Sequence, residues 1–431
     1  MTFADRRFDR SLEYLARARR VIPGASQTLS KAASMFVEGA YPVFLQRGRG
    51  CRVWDVDGHE YVDYVMGLAS VTLGYAYPAV NEAVARQLDR GSIFSLPAPA
   101  EVEVSERLTR IIPCAEMARF LKTGSEANSA AVRVARAATG RDVIVFCGYS
   151  GWHDWYAVTT PRSKGIPKDF AHFVVPFTYN DLTSLEAALE EHRGRVAAVL
   201  MEPVLLEAPS PGFLAGVKDM AHRHGALLIF DEIVSGFRWA AGGAQEYFGV
   251  VPDLAVFGKG MANGLPLAAV VGRREYMREF EEIFVSSTFG GDTLALAACL
   301  ATLDEYERHP VVAHQWQMGR RFQEGVTAAA RRLGLPVRCI GYPVHPKIVV
   351  DHQKAETQRL LMSLFLQETA RRGAIFHFAG FNISFSHSEA DVDETLSACE
   401  GALRILGDAL EDGRIGERLA GKPYQEAFRR S

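Results

Sequence analysis

Two apolar runs within residues 226–260, ALLIFDEIVSGFRWAAGGAQEYFGVVPDLAVFGKG, each end in a residue able to do chemistry. Ala226–Phe230 and Leu254–Phe257 read as buried β-strands, and strands buried on both faces belong to a parallel sheet covered by helices. Asp231 closes the first run and Gly258-Lys259-Gly260 the second. In an open parallel sheet the functional edge lies at the carboxyl ends of the strands. The pattern therefore delivers a carboxylate and an amine to one edge. A lysine flanked by glycines there is poorly solvated and sterically open, which suits Schiff-base chemistry. An aspartate there suits pairing with a protonated pyridine nitrogen. Without further motifs the same residues would read as a strand-end aspartate and a surface lysine that never meet.

At 431 residues the chain calls for two domains, or one large domain with a smaller partner. A hydrophobic content of 48% with 23% charged residues is that of a globular protein in water. A net charge of −3 argues against nucleic acid or an anionic membrane as partner. The amino end, MTFADRRFDRSLEYLARARR, lacks the apolar core of a secretory signal and reads as an amphipathic helix with Phe8, Leu12, Leu15 and Ala16 on one side. No apolar run reaches the roughly 18 residues of a membrane span. Six scattered cysteines without a C-x-x-C pair fit a reducing compartment, so a cytoplasmic location is expected.

Residues 43–65 alternate around two turn signals and predict a β-meander. Its DVDG resembles the start of a calcium loop, but the position that needs a bidentate glutamate is Met66, so a turn is expected. The run RFLKTGSEANSAAVRVARAATGR predicts a short strand, a turn at Thr123-Gly124-Ser125 and a helix. Thr123 and Glu126 have capping-box spacing, and a helix start, with unpaired N–H groups and a positive dipole end, is a natural seat for a phosphate. His222-x-His224 would point to different faces of a helix, and no metal site is expected. Strands and helices alternate over residues 119–272 and predict a parallel sheet with right-handed crossovers.

Taken together, FDEIVSGFR, GGAQEYFGVVPDL, GKG and TGSEA resemble the core of the class III aminotransferases, in the branch that includes glutamate-1-semialdehyde aminomutase. The resemblance extends from about Ile22 to Val392. It implies a fold-type I α/β transferase using pyridoxal 5′-phosphate (PLP). A large domain with a mostly parallel sheet (71–314) would pair with a smaller α+β domain formed by residues 1–70 and 315–431. It also implies Lys259 as the covalent anchor of PLP and Asp231 as partner of the ring nitrogen. Gly124 and Ser125 would hold the phosphate, Tyr149 and Ile233 would flank the ring, and Glu202 of the Glu202-Pro203 pair would lie near the cofactor. Ser287 and Thr288 match the loop that crosses to the neighbouring subunit's phosphate, which implies a homodimer with shared sites.

Several positions depart from the aminomutase pattern. Ser150 stands where the family has a histidine, and His153 nearby reads as structural. Thr28 and Lys31 fall on the substrate-mouth positions, where an arginine becomes a point charge. Ala379 replaces the gate glutamate, with His377 as a candidate pocket residue. These departures favour an aminotransferase that moves an amino group from an amino-acid donor to a carbonyl acceptor. An intramolecular aminomutase or a PLP racemase or epimerase would share the cofactor residues, whereas a non-catalytic relative is disfavoured by the presence of both Lys259 and Asp231. The acceptor expected is a carbonyl compound of specialised or cell-surface sugar metabolism.

Overall fold

The computed structural model describes residues 6–425. The chain divides into two units, one built from the residues up to Tyr77 and from Ala313 onward, the other from Pro78–Val312.

In the first unit, helix α1 (Asp9–Val21) precedes the meander β1 (Leu45–Arg49), β2 (Arg52–Asp55) and β3 (Glu60–Asp63). These pair antiparallel, and the strand Ala374–Ile375 joins β3 in parallel. The DVDG segment is a turn. Asp55 accepts from the amides of Asp57 and His59 and from the Tyr61 hydroxyl, while Asp57 accepts from the Arg10 and Ser11 amides in the first turn of α1. That grip sets the rotation of α1, which buries Ser11, Leu15 and Ala18 and leaves Leu12 and Ala16 exposed. Phe8 and Leu15 are thus buried as expected, whereas Leu12 and Ala16 face outward.

Met66–Ala69 in the same unit run through four successive left-handed residues, with φ of 47°, 59°, 58° and 71°. Such a turn costs L-residues roughly 1–2 kcal/mol each and needs a clamp. Asp63 supplies it by accepting from the Val65 and Met66 amides and from the Tyr75 hydroxyl at 2.6 Å.

The second unit is organised on a seven-stranded sheet. Its strands in chain order are β4 (Met117–Leu121), β5 (Val143–Cys147), β6 (Val174–Pro176), β7 (Val196–Met201), β8 (Leu227–Asp231), β9 (Leu254–Phe257) and β10 (Ala268–Gly272). Across the sheet they run β4-β10-β9-β8-β7-β5-β6. Every residue of β5, β7, β8, β9 and β10 is buried, which explains their unbroken apolar sequences. Helix α2 (Gly124–Thr139) lays Ala127, Ala130, Ala131, Val134 and Ala135 into the core, small side chains that permit close approach.

The sheet is parallel except at β10, which is antiparallel to both β9 and β4. Between β9 and β10 the chain makes only a short 3-10 turn, Lys259–Ala262. A parallel return needs a crossover of a dozen or more residues, so the chain doubles straight back. Two successive reversals leave β4 pointing the same way as β9. The carboxyl ends of β4, β5, β7, β8 and β9 therefore share one edge.

Candidate active site

Strand register assembles the site. Cys147 of β5 pairs with Met201 of β7, Met201 with Phe230 of β8, and Asp231 with Val256 of β9. The residues just beyond or at those ends are Tyr149, Glu202, Asp231 and Lys259. All four belong to the second unit.

Asp231 is 5% exposed. Its Oδ2 accepts from Asn128 Nδ2 at 2.6 Å and its Oδ1 from the Ile233 amide at 3.0 Å. Burial pushes its pKa up to about 6, against the two donors and Lys259, which pull it down. Burial, and then the Asp231 charge, raise Glu202 to about 7, while the Tyr149 amide, donating at 2.9 Å, works the other way. Lys259 is lowered, first by burial and then by the cationic Arg238, with the two carboxylates acting against the shift. A lysine so placed is neutral more often than one in water, and a neutral amine is the nucleophilic, proton-accepting form. Its backbone is also strained: φ of 43° puts Lys259 in the left-handed region, a conformation that clusters at functional sites.

Ile233 fills the space between the helix start and the end of β9. A Cβ added to Gly124 would lie 2.9 Å from Ile233 Cδ1, and one added to Gly258 would lie 2.8 Å from it. Both glycines are thus required by one side chain. At the start of α2 the capping box is formed: the Glu126 amide donates to Thr123 Oγ1 at 3.3 Å, and Glu126 Oε2 accepts the Lys122 and Thr123 amides at 2.9 Å. The box leaves the Gly124 and Ser125 amides, which lie in the first turn where no intrahelical carbonyl is available. Ser125 Oγ accepts the Trp152 amide at 3.2 Å.

Tyr149 is 56% exposed, its ring edge-on to Tyr156. Ser150 is buried, with its hydroxyl unpartnered. His153 bonds Ser129 Oγ at 2.7 Å, a structural contact on the far side of that loop. His222 pairs with Asp253 and His224 with Glu190, and no group of three potential metal ligands occurs among the described residues.

Ser287 is half-buried and Thr288 exposed, in the loop before helix α3 (Thr293–Arg308). Lys122 Nζ to Asp292 at 2.8 Å and Arg119 to the Val285 carbonyl at 2.9 Å tether this loop to β4. None of its hydrogen bonds reaches Asp231 or Lys259 among the described residues. The remaining candidates belong to the first unit. Thr28 and Lys31 line a cavity of about 540 Å³ together with Tyr41, Asp63, Leu68 and Tyr75. His377 is buried against Phe36 and Phe378, accepts the Ala379 amide on Nδ1, and is lowered by burial to about 4. It is therefore neutral at ordinary pH.

Two residues of this site escape the motif reading. Asn128 is a polar side chain on the buried face of an alanine-rich helix, with nothing in the sequence to single it out from its polar neighbours. Arg238, fully buried, donates to the Val234 carbonyl at 3.1 Å.

A family model described as aminotransferase class-III matches residues 35–383. The 3-aminobutyryl-CoA aminotransferase of Cloacimonas acidaminovorans (strain Evry) is 36% identical over 404 residues, covering 91% of this chain and 96% of that protein. The glutamate-1-semialdehyde 2,1-aminomutase of Syntrophobacter fumaroxidans (strain DSM 10017 / MPOB) is 36% identical over 424 residues, covering 91% and 97%. Among solved structures, the PLP internal aldimine form of the FumI protein of Sphingopyxis sp. MTA144 superposes with a TM-score of 0.88 at 28% identity, covering 96% and 99%. The site fits PLP: a buried carboxylate for a pyridinium, a lysine lowered by burial, helix-start amides left over by the cap, and glycines that open the space around Ile233. Motif order, strand register and likeness over nearly the whole length agree, and the chain belongs to the class-III aminotransferases, fold-type I enzymes that work with pyridoxal phosphate.

Proposed function

We propose that the chain works as a homodimer, moving an amino group from an amino-acid donor to a carbonyl acceptor in two half-reactions of a ping-pong cycle. The observation that carries this reading is the convergence of Asp231, Glu202 and a depressed Lys259 at one sheet edge. Bound PLP supplies an electron sink for the bonds breaking at the substrate Cα. Lys259 anchors it through Nζ. The same Nζ, when not bonded to the cofactor, would be placed to take the proton leaving the substrate Cα. Asp231 faces the ring nitrogen and keeps it protonated. The amides of Gly124 and Ser125 bind the phosphate, and Tyr149 and Ile233 flank the ring. Glu202 holds the Tyr149 backbone in place through the 2.9 Å amide contact. Ser287, half-buried, and Thr288, exposed on its own chain, reach the partner's phosphate.

Thr28, Lys31 and His377 shape substrate choice, with Lys31 offering a positive charge to an anionic group. Six unpaired cysteines support a cytoplasmic location. The aminomutase relative keeps the intramolecular reaction as the second reading. Donors should be screened by conversion of the bound cofactor's visible absorbance to that of pyridoxamine phosphate. Keto acids, aldehydes, keto sugars and β-keto thioesters should then be offered to restore it, the last because of the reaction named for the Cloacimonas relative. Recovery only with a second, different compound supports transfer. Isomerisation of one compound with no second substrate would replace this reading with the mutase.

A further inference from the structure

Asn128 stands one turn into α2 from Gly124 and is 2% exposed. Its Nδ2 donates to Asp231 Oδ2 at 2.6 Å, with the Ser150 carbonyl a long 3.5 Å away. Its Oδ1 is buried without a partner. An unpaired buried carbonyl is unfavourable. The amide nevertheless keeps this orientation, because turning it over would set its oxygen against the carboxylate. The other Asp231 oxygen is taken by the Ile233 amide at 3.0 Å. Each carboxylate oxygen thus has one fixed donor, one from a helix and one from the loop backbone. Neither donor changes its charge near neutral pH. A carboxyl or imidazole at position 128 would have a second charge state; a carboxamide has none.

We propose that Asn128 is the positioning residue of Asp231, fixing the plane of the carboxylate and holding it as an anion for the pyridine nitrogen of PLP. This rests on the role given to Asp231 above. A hydrogen bond to a charged group is stronger than one between neutral groups, and residues supporting a first layer of ligands tune that layer's charge and orientation.

The test uses the full-length protein, with PLP removed and added back. The dissociation constant of PLP is measured as a function of pH, alongside the melting temperature of the PLP-free form. Asn128→Ala should weaken PLP binding about 10- to 100-fold near neutrality. It should also move the acidic midpoint of the affinity profile upward by about one to two pH units, because Asp231 loses a donor to its anion. Asn128→Asp keeps the shape of the side chain and adds a like charge, so its midpoint should move up as well. An unmoved midpoint in Asn128→Ala overturns the proposal, whatever Asn128→Asp shows, because an added charge moves the midpoint without any positioning role. So does a lowered melting temperature with the midpoint unmoved, which would make Asn128 purely structural. If Asn128→Ala does not fold, Asn128→Leu, similar in size, uncharged and without the donor, decides by the same midpoint. Asp231→Asn separates the two claims: if that variant binds PLP like wild type, the role of Asp231 itself fails. If it loses PLP binding while the Asn128 variants do not shift, only the positioning role fails.

Discussion

Asp231 carries a stability cost that the role proposed for it explains. An aspartate in water titrates at about 3.9, whereas burial raises this one to about 6. Between those values the folded chain binds more protons than the unfolded one. Stability is then fully present below about pH 4, is lost as pH rises toward about 6, and stays lower above it. A shift of about two units corresponds to about 3 kcal/mol. Asp231→Asn should therefore stabilise the PLP-free protein by up to about 3 kcal/mol at pH 7 and leave it nearly unchanged at pH 4, as measured by denaturant unfolding, while PLP affinity collapses. A PLP-free variant less stable than wild type at pH 7 would contradict this. Asp231 and Lys259 were legible in the sequence because each ends a buried apolar run. Asn128 was not, since its partner lies 103 positions away and nothing in SEANSA marks which polar residue turns inward.

The elements meet at Ile233, whose Cδ1 occupies the space a side chain on Gly124 or Gly258 would need. Gly258 is in extended backbone with φ of 179°, so a substitution there is resisted by contact alone. Gly258→Ala should force Ile233 aside, costing about 1–3 kcal/mol and weakening PLP binding. Adding Ile233→Val, which deletes the interfering methyl, should recover most of both. A double variant no better than Gly258→Ala alone would show that the clash lies elsewhere. Strand positions and the helix after TGSEA could be read from periodicity and capping, which are local properties. The reversal of β10 could not, because direction depends on whether the connection is long enough to cross the sheet. The exposure of Leu12 and Ala16 on α1 was missed for a related reason: Asp57, far along the chain, grips its first-turn amides.

At the scale of the whole molecule, the loop carrying Thr288 is tethered to β4 yet presents Phe284 and Phe289 outward, 85% and 57% exposed. Apolar side chains this open suit a subunit interface. Under the proposed cross-subunit contact, Thr288→Ala should raise the PLP concentration needed for saturation by roughly 10-fold, the worth of one hydrogen bond to a phosphate, without changing the mass seen in sedimentation. Unchanged saturation would remove the cross-subunit contact. The claim on which everything else depends is that Lys259 Nζ is the covalent anchor. Borohydride reduction of the PLP-loaded protein, followed by digestion and peptide mapping, tests it directly. The account predicts one stable label, on the peptide spanning Phe257–Met261, and none in Lys259→Ala, which should fold but lose turnover by about 10²- to 10⁴-fold from the lost proton acceptor alone. A label on any other lysine, or an equally labelled Lys259→Ala, would contradict it.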